Sequence, residues 1–218
     1  MDEKQSKNHF KVKVKCKFMY NKKDITNEDY NMDYKALLKN RRSIRRFMDQ
    51  PIDPKILDEI LNDTCMAPSA SNMQPWRFIV IQDKEIMKKL SDESKKNRIE
   101  VIEKDPSNAL KQYETILRDS TFNVFYNAPC LIIIAGKKSH YHFNQDCSLA
   151  AAYLMFAAIE RNLGTCWIAL GDAIEDIDLR REIGLSEDYQ IVAPIIIGYP
   201  DKIPSMGPRN KPEVLKVI

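Results

Sequence analysis

Between Asn144 and Leu163 the chain carries a helix-length stretch with no polar face. Ala150, Ala151, Ala152, Leu154, Met155, Phe156, Ala157 and Ala158 send apolar side chains in nearly every direction around a helix, so the helix must be covered on most sides. In a chain of 218 residues that makes it the centre of the fold or a surface buried against a second subunit. Its small residues favour close packing. The apolar run Ala150 to Ile159, flanked by Asp146 and Glu160, falls well short of the roughly 20 residues of a membrane span.

Around this helix the apolar pattern alternates between strands and helices. Short continuous apolar runs at 76–82, 130–135, 165–169 and 191–197 predict buried strands. Asp53-Pro54 predicts a helix start, since aspartate caps the free N–H groups and proline suits the first helical position; Ile56, Leu57, Ile60, Leu61 and Cys65 give its stripe. A short helix is expected from Asp33 into Arg41. Asp83 caps a polar, mostly helical region, 84–120, interrupted at Asp105-Pro106. Gly164 is expected to close the long helix, and a short helix to fill 176–183. The alternation predicts a layered α/β or α+β domain over 32–218.

Residues 1–31 form a separate arm. Apolar residues at 10, 12, 14, 16, 18 and 20 interleave with lysines at 11, 13, 15 and 17, the period of a strand with one cationic face. Such a strand either meets an acidic partner or is an edge strand whose lysines discourage further pairing, the latter being favoured. Residues 1–23 hold eight lysines and two acids, leaving 26 basic and 29 acidic groups in 24–218, so the formal charge of +3 belongs to the arm. The body is slightly acidic, and neither nucleic acid nor a membrane surface is expected as its partner. Five scattered cysteines, with no C-x-x-C and no signal peptide ahead of them, point to a reducing cytoplasm.

The six glycines, at 136, 164, 171, 184, 198 and 207, are never closer than seven positions, which excludes G-x-G-x-x-G and the P-loop. A phosphate would have to be held by side chains. Arg41-Arg42-Ser43-Ile44-Arg45-Arg46-Phe47 could do so, because guanidinium forks match phosphate oxygens and a hydroxyl fills a remaining acceptor; a solvated basic turn accounts for it equally well. Downstream, the loop Ala67-Pro68-Ser69-Ala70-Ser71-Asn72-Met73-Gln74-Pro75 is pinned by two prolines before a buried strand, and Asn72 and Gln74 offer amides suited to a heterocycle edge. His140 and His142 have no usual zinc spacing, Ser69 lacks a nucleophile-elbow setting, and Cys166 reads as a packed thiol.

The order R-R-S-I-R-R-F, A-P-S-A-S-N-M-Q-P-W-R-F-I-V, N-A-P-C-L-I-I-I and N-L-G-T-C-W-I-A-L-G, from about residue 33 to the C-terminus, resembles the FMN-dependent nitroreductase family. The resemblance implies an α+β fold, a mixed sheet flanked by helices, with the long central helix at a homodimer interface and two FMN sites built from both subunits. It implies that Arg41, Arg42, Ser43 and Arg45 hold the FMN phosphate and ribityl chain. Pro68, Ser69 and Asn72 would line the isoalloxazine ring, and the backbone of Ile168, Ala169 and Leu170 would approach it near N5 and O4. A late phosphate contact falls to Arg209 or Lys211. NADH or NADPH would donate hydride to the flavin in a ping-pong cycle that reduces nitroaromatics, quinones or similar acceptors, with no side-chain nucleophile and no metal. The alternatives are a flavin carrier or regulator without nicotinamide turnover, and a flavin-consuming or dehalogenating relative with a substrate lid in 84–120. The arm has no counterpart in the resemblance.

Overall fold

The computed structural model describes residues 33–218; the expected strand of the arm lies outside the described residues. The helices, in chain order, are α1 (Tyr34–Asn40), α2 (Pro54–Thr64), α3 (Lys84–Lys104), α4 (Glu114–Arg118), α5 (Phe143–Glu160) and α6 (Ile177–Glu182). The strands are β1 (Trp76–Ile81), β2 (Cys130–Lys137), β3 (Gly164–Trp167) and β4 (Tyr189–Gly198).

Strand β2 explains the layering. Successive side chains leave opposite faces of a strand, and nearly every one of β2 is buried, so both faces of the sheet must be covered. Cys130, Ile132 and Ile134 pack with Ile195 and Ile197 of β4 against α2 and α5. Leu131, Ile133 and Ala135 pack on the other side with Met87, Leu90 and Ile102 of α3 and Leu117 of α4. The order is β1-β2-β4-β3 with every named pair antiparallel, so the four strands form an antiparallel sheet rather than the expected mixed one, and the parallel bridge Ser43–Thr165 lies outside them. The fold is the expected α+β one. Strands β1 and β3 form opposite edges.

The local signals act as their chemistry dictates. Asp53 accepts from the Lys55 N–H and Asp83 from those of Glu85 and Ile86, each capping its helix. Two further expectations need correction. Helix α5 is closed by Asn162 (φ 60°), with the Leu163 N–H bonded to the Ala158 carbonyl and the Asn162 N–H to that of Ile159. Gly164 instead opens β3, where a Cβ would sit 2.5 Å from Ile44. The expected strand 165–169 stops at Trp167, because Ala169–Gly171 is a 3₁₀ turn. No helix among the described residues is long and apolar enough to cross a membrane.

Candidate functional site

The arginine-rich segment is anchored by its buried apolar residue, Ile44. Ile44 is buried against Gly164, and its N–H bonds the Thr165 carbonyl at 2.9 Å, so residues 43–45 run beside β3 as a partial extra strand. The extended alternation puts Arg41, Ser43 and Arg45 on the face opposite Ile44. All three act on Cys166: burial pushes its thiol pKa up, while the Arg45 and Arg41 charges and a hydrogen bond from Ser43 pull against that rise. Arg42 turns back to its own chain, donating to the Arg41 carbonyl at 2.6 Å. Arg46 pairs with Asp201 at 3.1 Å on the surface.

Arg45 continues into a cavity of about 420 Å³. One wall is Trp167, Ile168, Ala169 and Leu170, the end of β3 and the turn beyond it. The facing wall is Phe122, Val124 and Tyr126, with Leu110 and Tyr113 from the segment between α3 and α4. The Arg45 guanidinium lies 5.7 Å from the Tyr126 ring centroid, a cation–π distance, and Phe122 meets Tyr126 edge-on at 5.6 Å. Arg98 and Asp172 close the floor as an ion pair. Burial raises the Asp172 carboxyl pKa, against the pull of Arg98. The Arg98 Nε is buried with no partner among the described residues. Apolar and aromatic walls, two guanidinium groups and an unfilled donor suit a planar ring carrying anionic groups, and FMN is such a molecule.

The loop before β1 is built differently. Ser71, Asn72 and Gln74 hold positive φ angles of 50°, 54° and 45°, which non-glycine residues adopt at a cost. The Ser69 hydroxyl accepts from the Gln74 N–H and the Gln74 amide donates to the Asn72 oxygen, both at 3.0 Å. Buried Asp146 of α5 accepts from the Ala70 N–H at 3.0 Å and ties the loop to the core. Pro68 and Asn72 are exposed.

Apart from Arg42, whose side chain is turned back on the Arg41 carbonyl and does not line the cavity, the expected site residues fall into three groups. Arg45, Ile168, Ala169 and Leu170 meet in the cavity, with Arg41 and Ser43 alongside on the same strand face. Pro68, Ser69 and Asn72 precede β1, the strand at the opposite edge of the sheet, three strand spacings or roughly 14 Å from β3. They are offset further along the strands, because Trp76 lies level with Gln190 and Trp167 with Ile195. Arg209 and Lys211 lie in the exposed tail, which has no regular secondary structure, and do not line the cavity.

Residues 38–199 match the nitroreductase family over most of the described chain. The chain belongs to the nitroreductase family. A relative from Archaeoglobus fulgidus, provisionally named an NADH dehydrogenase/NAD(P)H nitroreductase, is 29% identical over 75% of this chain and 83% of its own. The iodotyrosine deiodinase of Thermotoga neapolitana is 26% identical over 80% of this chain and 92% of its own. A nitroreductase from Desulfitobacterium hafniense, crystallised with bound FMN, shares the fold at a TM-score of 0.71 with 20% identity, covering 83% of this chain and 96% of that one.

In this nitroreductase-family chain, Arg98, Asp172, Tyr126 and Phe122 line the cavity without having been found in the sequence. Arg98 sits in a helix whose charges read as solvated, and Asp172 follows a glycine as any turn aspartate might. One usable signal was the spacing of Ser91, Ser94, Lys95 and Arg98, a helical stripe that is polar where α3 meets the core.

Proposed function

We propose that the chain is an FMN-dependent NAD(P)H oxidoreductase of nitroreductase type, working as a homodimer in which the β3 edge of one copy and the 67–75 loop of the other line each site. The observation that carries this reading is the division of the expected binding residues between opposite sheet edges. A second copy would bring the halves together. Helix α5 supports it: Leu154 is fully buried, yet its neighbours Leu149 and Tyr153 are 44% and 41% exposed, and Met66 just before the loop and Met73 within it are 76% and 54% exposed. Apolar surface of this kind is an interface feature.

When bound, FMN supplies hydride acceptance from a nicotinamide and delivery to a second substrate. The chain's own contribution is binding and orientation. Arg41, Ser43 and Arg45 would hold the phosphate and ribityl chain, joined by Arg209 or Lys211 of the tail, and by Arg42 once its side chain leaves the Arg41 carbonyl. Pro68, Ser69 and Asn72 would meet the ring, Asn72 presenting its amide to the polar edge. The backbone at 168–170 would lie against the other side. The acceptors would be nitroaromatics, quinones or similar molecules. A cytoplasmic setting belongs to this proposal and is supported by the free thiols of Cys65, Cys130, Cys147 and Cys166.

The test is direct. Purified protein should be yellow or bind FMN on reconstitution, run as a dimer in light scattering, and lose flavin colour rapidly on anaerobic mixing with NADH or NADPH. Colourless, FMN-indifferent, monomeric protein overturns the reading, and a bound flavin that neither nicotinamide bleaches marks a carrier. A second reading, reductive dehalogenation, is favoured by the deiodinase relative and by Leu110 and Tyr113 reaching the cavity from the segment after α3. Iodotyrosine in the acceptor panel, with iodide release as readout, decides between the two.

A further inference from the structure

Helix α3 buries a polar stripe. Ser91, Ser94, Lys95 and Asn97 are 1%, 0%, 7% and 8% exposed, and Arg98 is only partly exposed. Buried polar groups need partners, and these find theirs in the main chain of the two cavity walls. The Lys95 ammonium donates to the carbonyls of Asp119 and Phe122 at 2.8 and 2.9 Å, and the Ser91 hydroxyl accepts from the Val124 N–H at 3.0 Å. On the other side, Ser94 donates to the Leu170 carbonyl, Asn97 to that of Ala173 at 2.8 Å, and Arg98 to that of Ala169 at 3.1 Å. The 169–173 turn thus has three carbonyls drawn toward one helix.

Arg98 differs from the other clamps. It is the cation among those holding the 169–173 turn, it lines the cavity itself, and it is steadied by a close hydrogen bond to Asp172. In a trans peptide the C=O and the following N–H point in opposite directions, and the described residues contain no cis peptide. An Ala169 carbonyl drawn to Arg98 therefore turns the Leu170 N–H away from α3. A cationic donor on the carbonyl also polarises the peptide and strengthens its N–H as a donor.

We infer that Arg98, seated by Asp172, is a positioning residue of the flavin site: it fixes and polarises the Ala169–Leu170 peptide so that the Leu170 N–H is a strong donor to the bound cofactor. The inference rests on the proposed FMN site. A donor of this kind holds the electron-rich reduced cofactor more tightly than the oxidised one. Arg98 therefore raises the midpoint potential, and Asp172 moderates it.

The experiment measures the midpoint potential of the FMN-loaded protein by dye equilibration, together with FMN affinity of the apoprotein by fluorescence quenching. Arg98→Gln should lower the potential by about 30 mV, a tenfold weaker preference for the reduced form in a two-electron couple. Asp172→Asn leaves the cation uncompensated and should shift the potential upward. Opposite signs support the inference, because simple loosening of the turn would move both variants the same way. An unchanged potential in Arg98→Gln overturns it, as does a fall or no change in Asp172→Asn, which is the deciding variant if Arg98→Gln fails to fold. Wild-type protein that binds no FMN overturns the functional reading itself, whereas FMN binding with unresponsive potentials overturns only the role of Arg98.

Discussion

The two edges of the sheet carry their candidate residues by opposite means. At the β3 edge the chain is held from outside: Ile44 locks into the space over Gly164, and α3 reaches across to take the carbonyls of the 169–173 turn. At the β1 edge the loop holds itself, through strained backbone at Ser71, Asn72 and Gln74 and internal bonds of Ser69 and Gln74, with ties to the core at Asp146 and at Pro75, whose carbonyl accepts from the Lys137 N–H of β2. The first arrangement makes a half-open cavity within one chain. The second makes a projection with exposed side chains at Pro68 and from Ser71 to Gln74, rooted by buried Ala67 and Pro75. A socket and a projection on opposite edges of one molecule are what a two-fold assembly needs, since each copy then offers both parts to its twin.

The largest effect should come from emptying the socket of its charge. Each charge-assisted bond is worth about 1.5–3 kcal/mol, so replacing both Arg41 and Arg45 by alanine should weaken FMN binding by roughly a thousandfold. Neither guanidinium is buried in the core, so thermal unfolding of the apoprotein should barely move; a large fall in Tm with intact FMN affinity would mean that the cluster is structural. Next comes complementation between edges. A chain lacking Arg41 and Arg45 and a chain carrying Ser69→Ala and Asn72→Ala should each be nearly inactive. Unfolded together and refolded as a mixture, they should regain about a quarter of wild-type nicotinamide oxidation, because half of random dimers are mixed and each of those has one intact site. No recovery would mean that both edges serve a site within one chain.

Much of the framework was readable because its causes are local. Asp53-Pro54 and Asp83 announce helix starts through groups two or three residues away, and the apolar run 130–135 could only be a buried strand. The arginine cluster could be recognised by composition, but not its division, which depends on Ile44 meeting β3 from far along the chain. The run Trp167 to Leu170 is apolar throughout and carries no period, so nothing in it marks the change from strand to 3₁₀ turn. Asn162 took the capping role expected of Gly164 because asparagine also tolerates a left-handed backbone, while the glycine was required for a contact invisible in sequence. The stripe on α3 is illegible in the sequence for a related reason. Polar residues on a helix are normally read as its wet face, and only the tertiary fold shows main-chain carbonyls facing them.

A smaller effect should follow from cutting the loop's tie. Asp146→Asn keeps the size of the side chain but weakens the charge-assisted bond to the Ala70 N–H, by about 1 kcal/mol. FMN affinity should fall several-fold through the projection, and a β3-edge readout such as the midpoint potential should stay fixed; movement of both would show that α5 couples the edges within one chain.

The smallest effect tests whether the strain in the projection serves binding. Ser71 sits at φ 50°, ψ 27°, where a side chain costs about 1–2 kcal/mol relative to a right-handed conformation. Ser71→Gly removes that cost from the folded state but gives the unfolded chain more freedom, worth about 0.5–1 kcal/mol in the opposite direction. The net change in stability should lie within about 1 kcal/mol and favour the folded protein. Binding should move the other way. With glycine the loop samples more conformations before FMN arrives, and the ordering must then be supplied on association, so affinity should drop a few-fold while Tm rises slightly. At the socket, where the turn is held from α3 instead, relief of backbone strain is not available as a lever, and the two edges should answer differently to glycine. If Ser71→Gly leaves FMN affinity unchanged, the left-handed conformation is only a way of turning the chain into β1, and preorganisation resides in Asp146 and Gln74 instead.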